Sequence, residues 1–249
     1  MTTVLLHAYP LNQHMWQPQR DSLATFGPVI TLDYAGFGAS HWDIAPRTPR
    51  RIDDVAQHIL TELDQRGIDQ FAVAGLSMGG YVALAMWRIA AARIRGIAIC
   101  NSRARADDEA TKAVRTRNAE IARTSGAVAI ADIMMPRLLS AYAPASVVTQ
   151  VRQMALQASP DALANAMEMI RDRPDASALL PTIQVPSLVI GATDDPIMPV
   201  TESQSVADAL PNSQCVIVPQ CGHISNLERP QVFNAALIRW LTRVSDYSA

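Results

Sequence analysis

An α/β fold, with a mostly parallel sheet covered by helices on both faces and a helical cap inserted into it, is the class this sequence predicts. Three observations predict it. Short apolar runs alternate with helix-prone segments from Thr2 to Cys100; from about Ser102 to Leu180 every segment reads helical; alternation then resumes from Pro186 to Val244. Such alternation gives parallel strands joined by crossover helices, buried on both sides. The core takes residues 1–101 and 181–249 and the cap residues 102–180, a single domain with an insertion at a length of 249 residues.

In order, Thr2 to Leu6 is a short apolar strand that stops at His7-Ala8-Tyr9-Pro10, because Pro10 cannot continue a central strand. Met15 to Ala24 reads as a helix. Pro28 to Asp33 is the second strand, ended by the glycine-marked loop Tyr34 to Ser40. Arg47 to Pro49 lead into a helix over about Arg50 to Arg66, with Ile52, Val55, Ile59, Leu60 and Leu63 on one face and Gly67 as its stop. Phe71 to Leu76 is a buried strand, Tyr81 to Ala92 the helix after it, and Arg95 to Cys100 the next strand. The cap shows helical segments at 107–124, 127–140, 144–158 and 160–171, punctuated by Pro136, Pro144, Pro160 and Pro174. A strand at 186–190, a helix at 200–210, a strand at 214–218 and a helix at 230–244 complete the chain.

The third strand ends in Gly75-Leu76-Ser77-Met78-Gly79-Gly80, a Gly-x-Ser-x-Gly pattern opening directly into a helix. A serine on so tight a strand-to-helix turn takes strained backbone angles, and its flanking positions must be nearly bare. Alone the pattern is weak; strand before and helix after are the context it requires. Ser77 is the candidate nucleophile, and the helix N-terminus behind it offers N–H groups to an oxyanion.

Serine needs a base, and the base needs an orienting acid. His223, in the loop after the last strand, is the candidate base. His7 ends the first strand and orders the loop that follows, while His14, His41 and His58 read as loop or solvated-helix residues. Asp194 and Asp195, after the strand at 186–190, both qualify as the acid, and the residues by themselves do not choose. The oxyanion hole pairs the Met78 N–H with that of Tyr9 in the loop after the first strand.

The balance of charge excludes other classes. A formal net charge of -2 without a basic run argues against nucleic acid and anionic membranes and for a small-molecule partner. Cys100, Cys215 and Cys221 lack metal-ligand spacing and read as reduced thiols of a cytoplasmic protein. No two histidines show ligand spacing, so no metal site is expected. The N-terminus has no basic region of the secretory kind. The uncharged run Gln70 to Trp87 could span a bilayer by length, but its glycines and Ser77 make it a buried strand joined to a buried helix.

These motifs together resemble the α/β-hydrolase fold family over essentially the whole chain. His7-Ala8-Tyr9-Pro10 is similar to the family's His-Gly-x-Pro oxyanion loop, Asp33 to Ser40 to its Asp-x-x-Gly-x-Gly-x-Ser loop, Gly75 to Gly80 to its elbow, and Gly222-His223 to its histidine loop. The order Ser77, Asp195, His223 is the family's order. Pro186 to Pro199 resembles, without gaps, a family pattern that implies Asp195 as the acid. Two departures stand out: Ala8 replaces the usual glycine, and the family's first two strands are missing, which implies a sheet of about six strands.

Within the family, the elbow and Gly222 to Pro230 resemble small esterases, 3-oxoadipate enol-lactonases and cofactor-free haloperoxidases. The resemblance implies a serine hydrolase of carboxylic esters or lactones, needing no cofactor, and working as a monomer or homodimer. Two alternatives use the same triad, hydrolysis of a C–C bond in a ring-cleavage diketone and haloperoxidase-type perhydrolysis; Leu76 argues against the first. A ligand-binding receptor of the same fold is the alternative from another class. Met134, Met135, Leu138, Leu139, Met154 and Met167 read as cap core or as the wall of an acyl pocket. Arg103 and Arg105 read as exposed cap-hinge residues, with carboxylate binding as the alternative.

Overall fold

Residues 1–40 and 51–247 are described in the computed structural model. His41, the Arg47 to Pro49 lead-in and the expected helix start at Arg50 lie outside the described residues.

The chain runs β1 (Thr2–Leu6), a 3-10 turn, α1 (Gln17–Leu23), β2 (Val29–Leu32), α2 (Ile52–Gln65), β3 (Phe71–Leu76), α3 (Met78–Ala90) and β4 (Ile94–Cys100). The helices α4 (Glu109–Leu138), α5 (Ala145–Ala155) and α6 (Pro160–Arg171) follow. Then come β5 (Ser187–Ala192), α7 (Val200–Ala209), β6 (Ser213–Val218), the short α8 (Ser225–Glu228) and α9 (Pro230–Asp246).

The strands form one six-stranded sheet in the order β2-β1-β3-β4-β5-β6, with every pair parallel. Every residue of β3 and β5 is buried, so both faces of the sheet centre are covered. The edge strands β2 and β6 are more open. On the core side of α9, Phe233 meets Trp16 with ring centroids 6.0 Å apart, and Trp240 donates its indole N–H to the Pro186 carbonyl at 2.9 Å.

The two cap helices expected at 107–124 and 127–140 are there, joined end to end as α4 and parted at Gly126, whose φ of 73° and ψ of -168° are not helical. Pro136 does not end it. That proline lies in the last turn, two residues before Leu138, where little helix remains to disrupt. α4 packs on α5 and α6. The cap is tied to the rest of the chain by main-chain bonds from Ile224 N–H to Leu138 O and from Ser159 N–H to Gly36 O. Among the described residues no helix is long and apolar enough to cross a membrane.

Candidate active site

Because all six strands are parallel, the segments after β1, β3, β4, β5 and β6 emerge at one edge of the sheet. Tyr9, Ser77, Asn101, Asp195 and His223 all lie in those segments.

Ser77 sits between β3 and α3 with φ 55° and ψ -113°, a left-handed conformation that L residues avoid. Its surroundings impose it. A Cβ at Gly75 would lie 2.1 Å from the Gly79 carbonyl oxygen, and one at Gly79 would lie 2.1 Å from that of Leu6. The Ser77 N–H donates to Cys100 O at 2.9 Å, and its carbonyl accepts from Gly80 N–H at 2.9 Å and from the Ser102 hydroxyl at 2.8 Å. The elbow is therefore held by both the sheet and its own helix.

His223 and Asp195 meet, with Nδ1 2.7 Å from Oδ2, both residues buried. The Asp195 carboxylate is saturated. Oδ1 accepts from the N–H groups of Ile197 at 2.8 Å and Met198 at 2.9 Å, and Oδ2 also accepts from the Asn101 side-chain amide at 2.9 Å. Burial pushes this carboxyl upward, but the His223 charge and hydrogen bond, Asn101 and the Met198 N–H outweigh it and hold it below the usual range. Asp194 is exposed and accepts from the Thr193 hydroxyl at 2.8 Å. His223 Nε2 has no hydrogen-bond partner among the described residues.

The loop after β1 is built around His7. Its ring stacks on Tyr34 with centroids 3.8 Å apart, Nε2 accepts from Tyr34 N–H at 3.1 Å, and Nδ1 lies 3.1 Å from Ala8 O. Burial lowers the His7 pKa to about 4, against smaller opposing pulls from the Ala8 carbonyl and Asp33, so the ring is neutral. Asp33 ties the neighbouring loop, accepting from Gln13 N–H at 2.6 Å and Ala39 N–H at 3.0 Å. Neither the Tyr9 nor the Met78 N–H has a hydrogen-bond partner among the described residues, which leaves both donors for a ligand. His14 is exposed, and His58 lies on α2 with Nε2 3.8 Å from Glu62.

Two residues of the site escape sequence reasoning. Asn101 takes φ 43° at the end of β4; its Oδ1 accepts from the Ser225 hydroxyl at 2.5 Å, which fixes the amide so that Nδ2 faces Asp195. Glu228, in α8, accepts from Gly222 N–H at 3.0 Å and from Ser140 N–H and hydroxyl, joining the histidine loop to the end of the cap helix. Burial raises its carboxyl above the usual range despite these donors. The available signal was a polar residue directly after an apolar strand for Asn101; for Glu228 there was none.

Arg103 is not the exposed hinge residue expected: it is buried and bonded to Asp107, whereas Arg105 is exposed and bonded to Glu202. Cys221 is buried beside the histidine loop, and burial pushes its thiol up to about 12. Met134 lines a cleft next to Met198, while Leu138, Met154 and Met167 pack into the core. Among the described residues no three His, Cys, Asp or Glu side chains are grouped as metal ligands would be.

Known proteins share this fold. An esterase from Thermogutta terrifontis, solved with malate bound, superposes with a TM-score of 0.92 at 34% identity, over 98% of this chain and 90% of that one. The enol-lactonase from Burkholderia xenovorans superposes with a TM-score of 0.86 at 29% identity, over 97% and 91% of the two chains. In sequence, a protein named as the carbamate hydrolase RutD of Azorhizobium caulinodans is 28% identical over 228 residues, 90% of this chain and 84% of that protein. These relatives are hydrolases. The sequence profile of the alpha/beta hydrolase family matches residues 3–236, and the chain belongs to that family.

Proposed function

We propose that the protein is a serine hydrolase of carboxylic esters or lactones that works through an acyl-enzyme. His223 Nε2 takes the Ser77 proton as Oγ attacks the carbonyl carbon. Asp195 keeps Nδ1 protonated and the ring in place. The N–H groups of Tyr9 and Met78 receive the developing oxyanion. The imidazolium then protonates the leaving alcohol, and His223 next activates the water that releases the acid. For a lactone, the alcohol stays attached to the acyl chain and leaves with it.

The observation that carries the proposal is the 2.7 Å contact of His223 Nδ1 with a fully engaged Asp195, at the sheet edge where Ser77 is held at positive φ. The similarity to an esterase and an enol-lactonase supports the ester or lactone bond over the alternatives. This chemistry needs no metal or organic cofactor. The substrate is a small molecule admitted between the core (1–101 and 181–249) and the cap (102–180), and the free cysteines support a cytoplasmic site of action.

Hydrolysis of p-nitrophenyl esters from acetate to decanoate, with a small lactone panel, tests the proposal against Ser77→Ala and His223→Ala. Turnover lost in both variants upholds it. A folded parent that turns over none of these compounds overturns it.

A further inference from the structure

The peptide that presents the Tyr9 N–H is fixed through its carbonyl, that of Ala8. Ala8 O accepts from Leu11 N–H at 2.9 Å and lies 3.1 Å from His7 Nδ1. His7 Nε2 accepts from Tyr34 N–H, so the neutral ring carries its proton on Nδ1 and gives it to that carbonyl. In a trans peptide the N–H points opposite to the C=O, so the bonds on Ala8 O aim the Tyr9 N–H away from them.

The preceding peptide is held at both of its polar ends. The His7 carbonyl accepts from the Tyr34 hydroxyl at 3.2 Å, and the Ala8 N–H donates to the Met15 thioether sulfur at 3.2 Å. That N–H has no other acceptor among the described residues. Ala8 and Met15 are both fully buried, so bulk water does not reach the pair. A thioether is a weak acceptor, and an aliphatic side chain of similar volume would fill the same space. What the sulfur adds there is a partner for a buried N–H that would otherwise be orphaned.

Met15, in the 3-10 turn Gln13–Trp16, is anchored in turn from the other side of the site. Its carbonyl accepts from the Asn226 side-chain amide at 2.7 Å, and Asn226 follows closely after His223. The same amide donates to Gln19 Oε1 at 3.1 Å, while Gln19 Nε2 donates to the Asn226 carbonyl at 3.1 Å. Gln19 and Asn226 are fully buried. A continuous path of bonds therefore runs from the segment after His223 through Asn226 and Met15 to the loop that carries Tyr9.

We infer that Met15 is a positioning residue of the proposed oxyanion hole. Its sulfur holds the Ala8 N–H, and with it the peptide that presents the Tyr9 N–H; its carbonyl registers that loop against the loop of His223. This rests on the serine-hydrolase reading above. Met15 touches no reacting atom. Its effect falls on the step in which charge collects on the carbonyl oxygen, since that is when the hole's donors are used.

Hydrolysis of p-nitrophenyl hexanoate and inhibition by 1,1,1-trifluoroheptan-2-one, which carries the same acyl chain, test the inference. Ser77 Oγ adds to the ketone carbon, the carbonyl π pair becomes the oxyanion and the Ser77 proton passes to His223, so the Ki of the ketone reads the hole. Met15→Leu keeps the volume and loses the acceptor. It is expected to lower kcat about tenfold with KM changed by less than about twofold, and to raise the Ki by a similar tenfold, short of the roughly hundredfold loss from removing a whole oxyanion donor. Met15→Ile repeats the change in another shape should the leucine protein not fold. Met15→Gln, which returns an oxygen acceptor, is expected to recover part of both losses. A folded Met15→Leu or Met15→Ile with parental kcat and Ki overturns the inference, and so does a fall in kcat with Ki unchanged or a glutamine protein as impaired as the leucine one. Failure of the hydrolase reading has a different signature. If the parent turns over no ester while the ketone binds and Met15→Leu weakens that binding, the positioning role stands and the hydrolase reading falls. If Ser77→Ala abolishes ester turnover and Met15→Leu changes nothing, the reverse holds.

Discussion

Asn101 donates its side-chain amide to Asp195 Oδ2 at 2.9 Å, the same oxygen that lies 2.7 Å from His223 Nδ1. The two bonds from different directions leave that carboxylate one orientation, and Ser225 fixes the amide in turn. On the proposed mechanism, Asn101 is a positioning residue. Asn101→Gly keeps the positive φ and removes only the amide, so kcat is expected to fall about tenfold with little change in KM, on the scale of one hydrogen bond to a charge. Steady-state kinetics of Asn101→Gly beside Asn101→Asp and the parent check this, and an unchanged kcat would falsify the role.

The strain at Ser77 predicts opposite effects on stability and activity. Ser77→Gly and Ser77→Ala are both expected to lose turnover, but glycine relieves the positive φ and alanine retains it. With strain of about 1–3 kcal/mol set against the entropy that glycine adds to the unfolded chain, Ser77→Gly is expected to be about 1 kcal/mol more stable than Ser77→Ala. Urea unfolding of the two proteins at neutral pH measures the difference; equal midpoints would show that the elbow stores no strain.

His7 supplies a pH dependence whose sign is fixed by burial. Its pKa is about 4 in the folded chain, against 6.5 for a histidine free in water, so the unfolded chain binds the proton first. The stability it contributes is fully present above pH 6.5 and is lost as pH falls from there towards about 4, a loss of about 3 kcal/mol. The window lies above that of Asp195 and Asp107, whose lowered carboxyls titrate at more acidic pH. Denaturant unfolding at steps between pH 7 and 4 should show this slope in the parent and a flatter one in His7→Gln.

Glu228 holds Gly222, directly before His223, to Ser140 at the end of the cap helix. Glu228→Ala leaves the Gly222 and Ser140 N–H groups without their acceptor at a cost of about 2–3 kcal/mol. Turnover is expected to fall with the loss of His223 positioning, while Glu228→Gln, which retains one acceptor, recovers part of both. Thermal unfolding and kcat of the two variants check the pair; an alanine variant as stable and active as the parent would remove Glu228 from the site.

How much of this was legible depended on the range of the interaction. The elbow was readable because positive φ and close packing demand Gly75 and Gly79 within two residues of Ser77. His223 was readable from its place after the last strand. The residues alone leave Asp194 and Asp195 open, because the choice depends on which carboxylate the N–H groups of Ile197 and Met198 capture, and only the family pattern that Pro186 to Pro199 resembles points to Asp195. Asn101 acts on a partner 94 residues away, and Glu228, besides the nearby Gly222, on one 88 residues away, which no local pattern reveals. The division of the long cap helix at Gly126 was readable because a glycine there can take the positive φ that interrupts the helix.

The strand order has a bearing on synthesis. β4 occupies the interior of the finished sheet, yet its neighbour β5 is translated only after the whole cap segment has been synthesised. Until then Ile94–Cys100 is an apolar edge with unpaired N–H and C=O groups, the kind of edge on which nascent chains associate. A chain stopped at residue 180 is accordingly expected to aggregate where the full-length protein does not, as light scattering of the two translated products would register, and the cell's chaperones would meet this protein at that stage of its making.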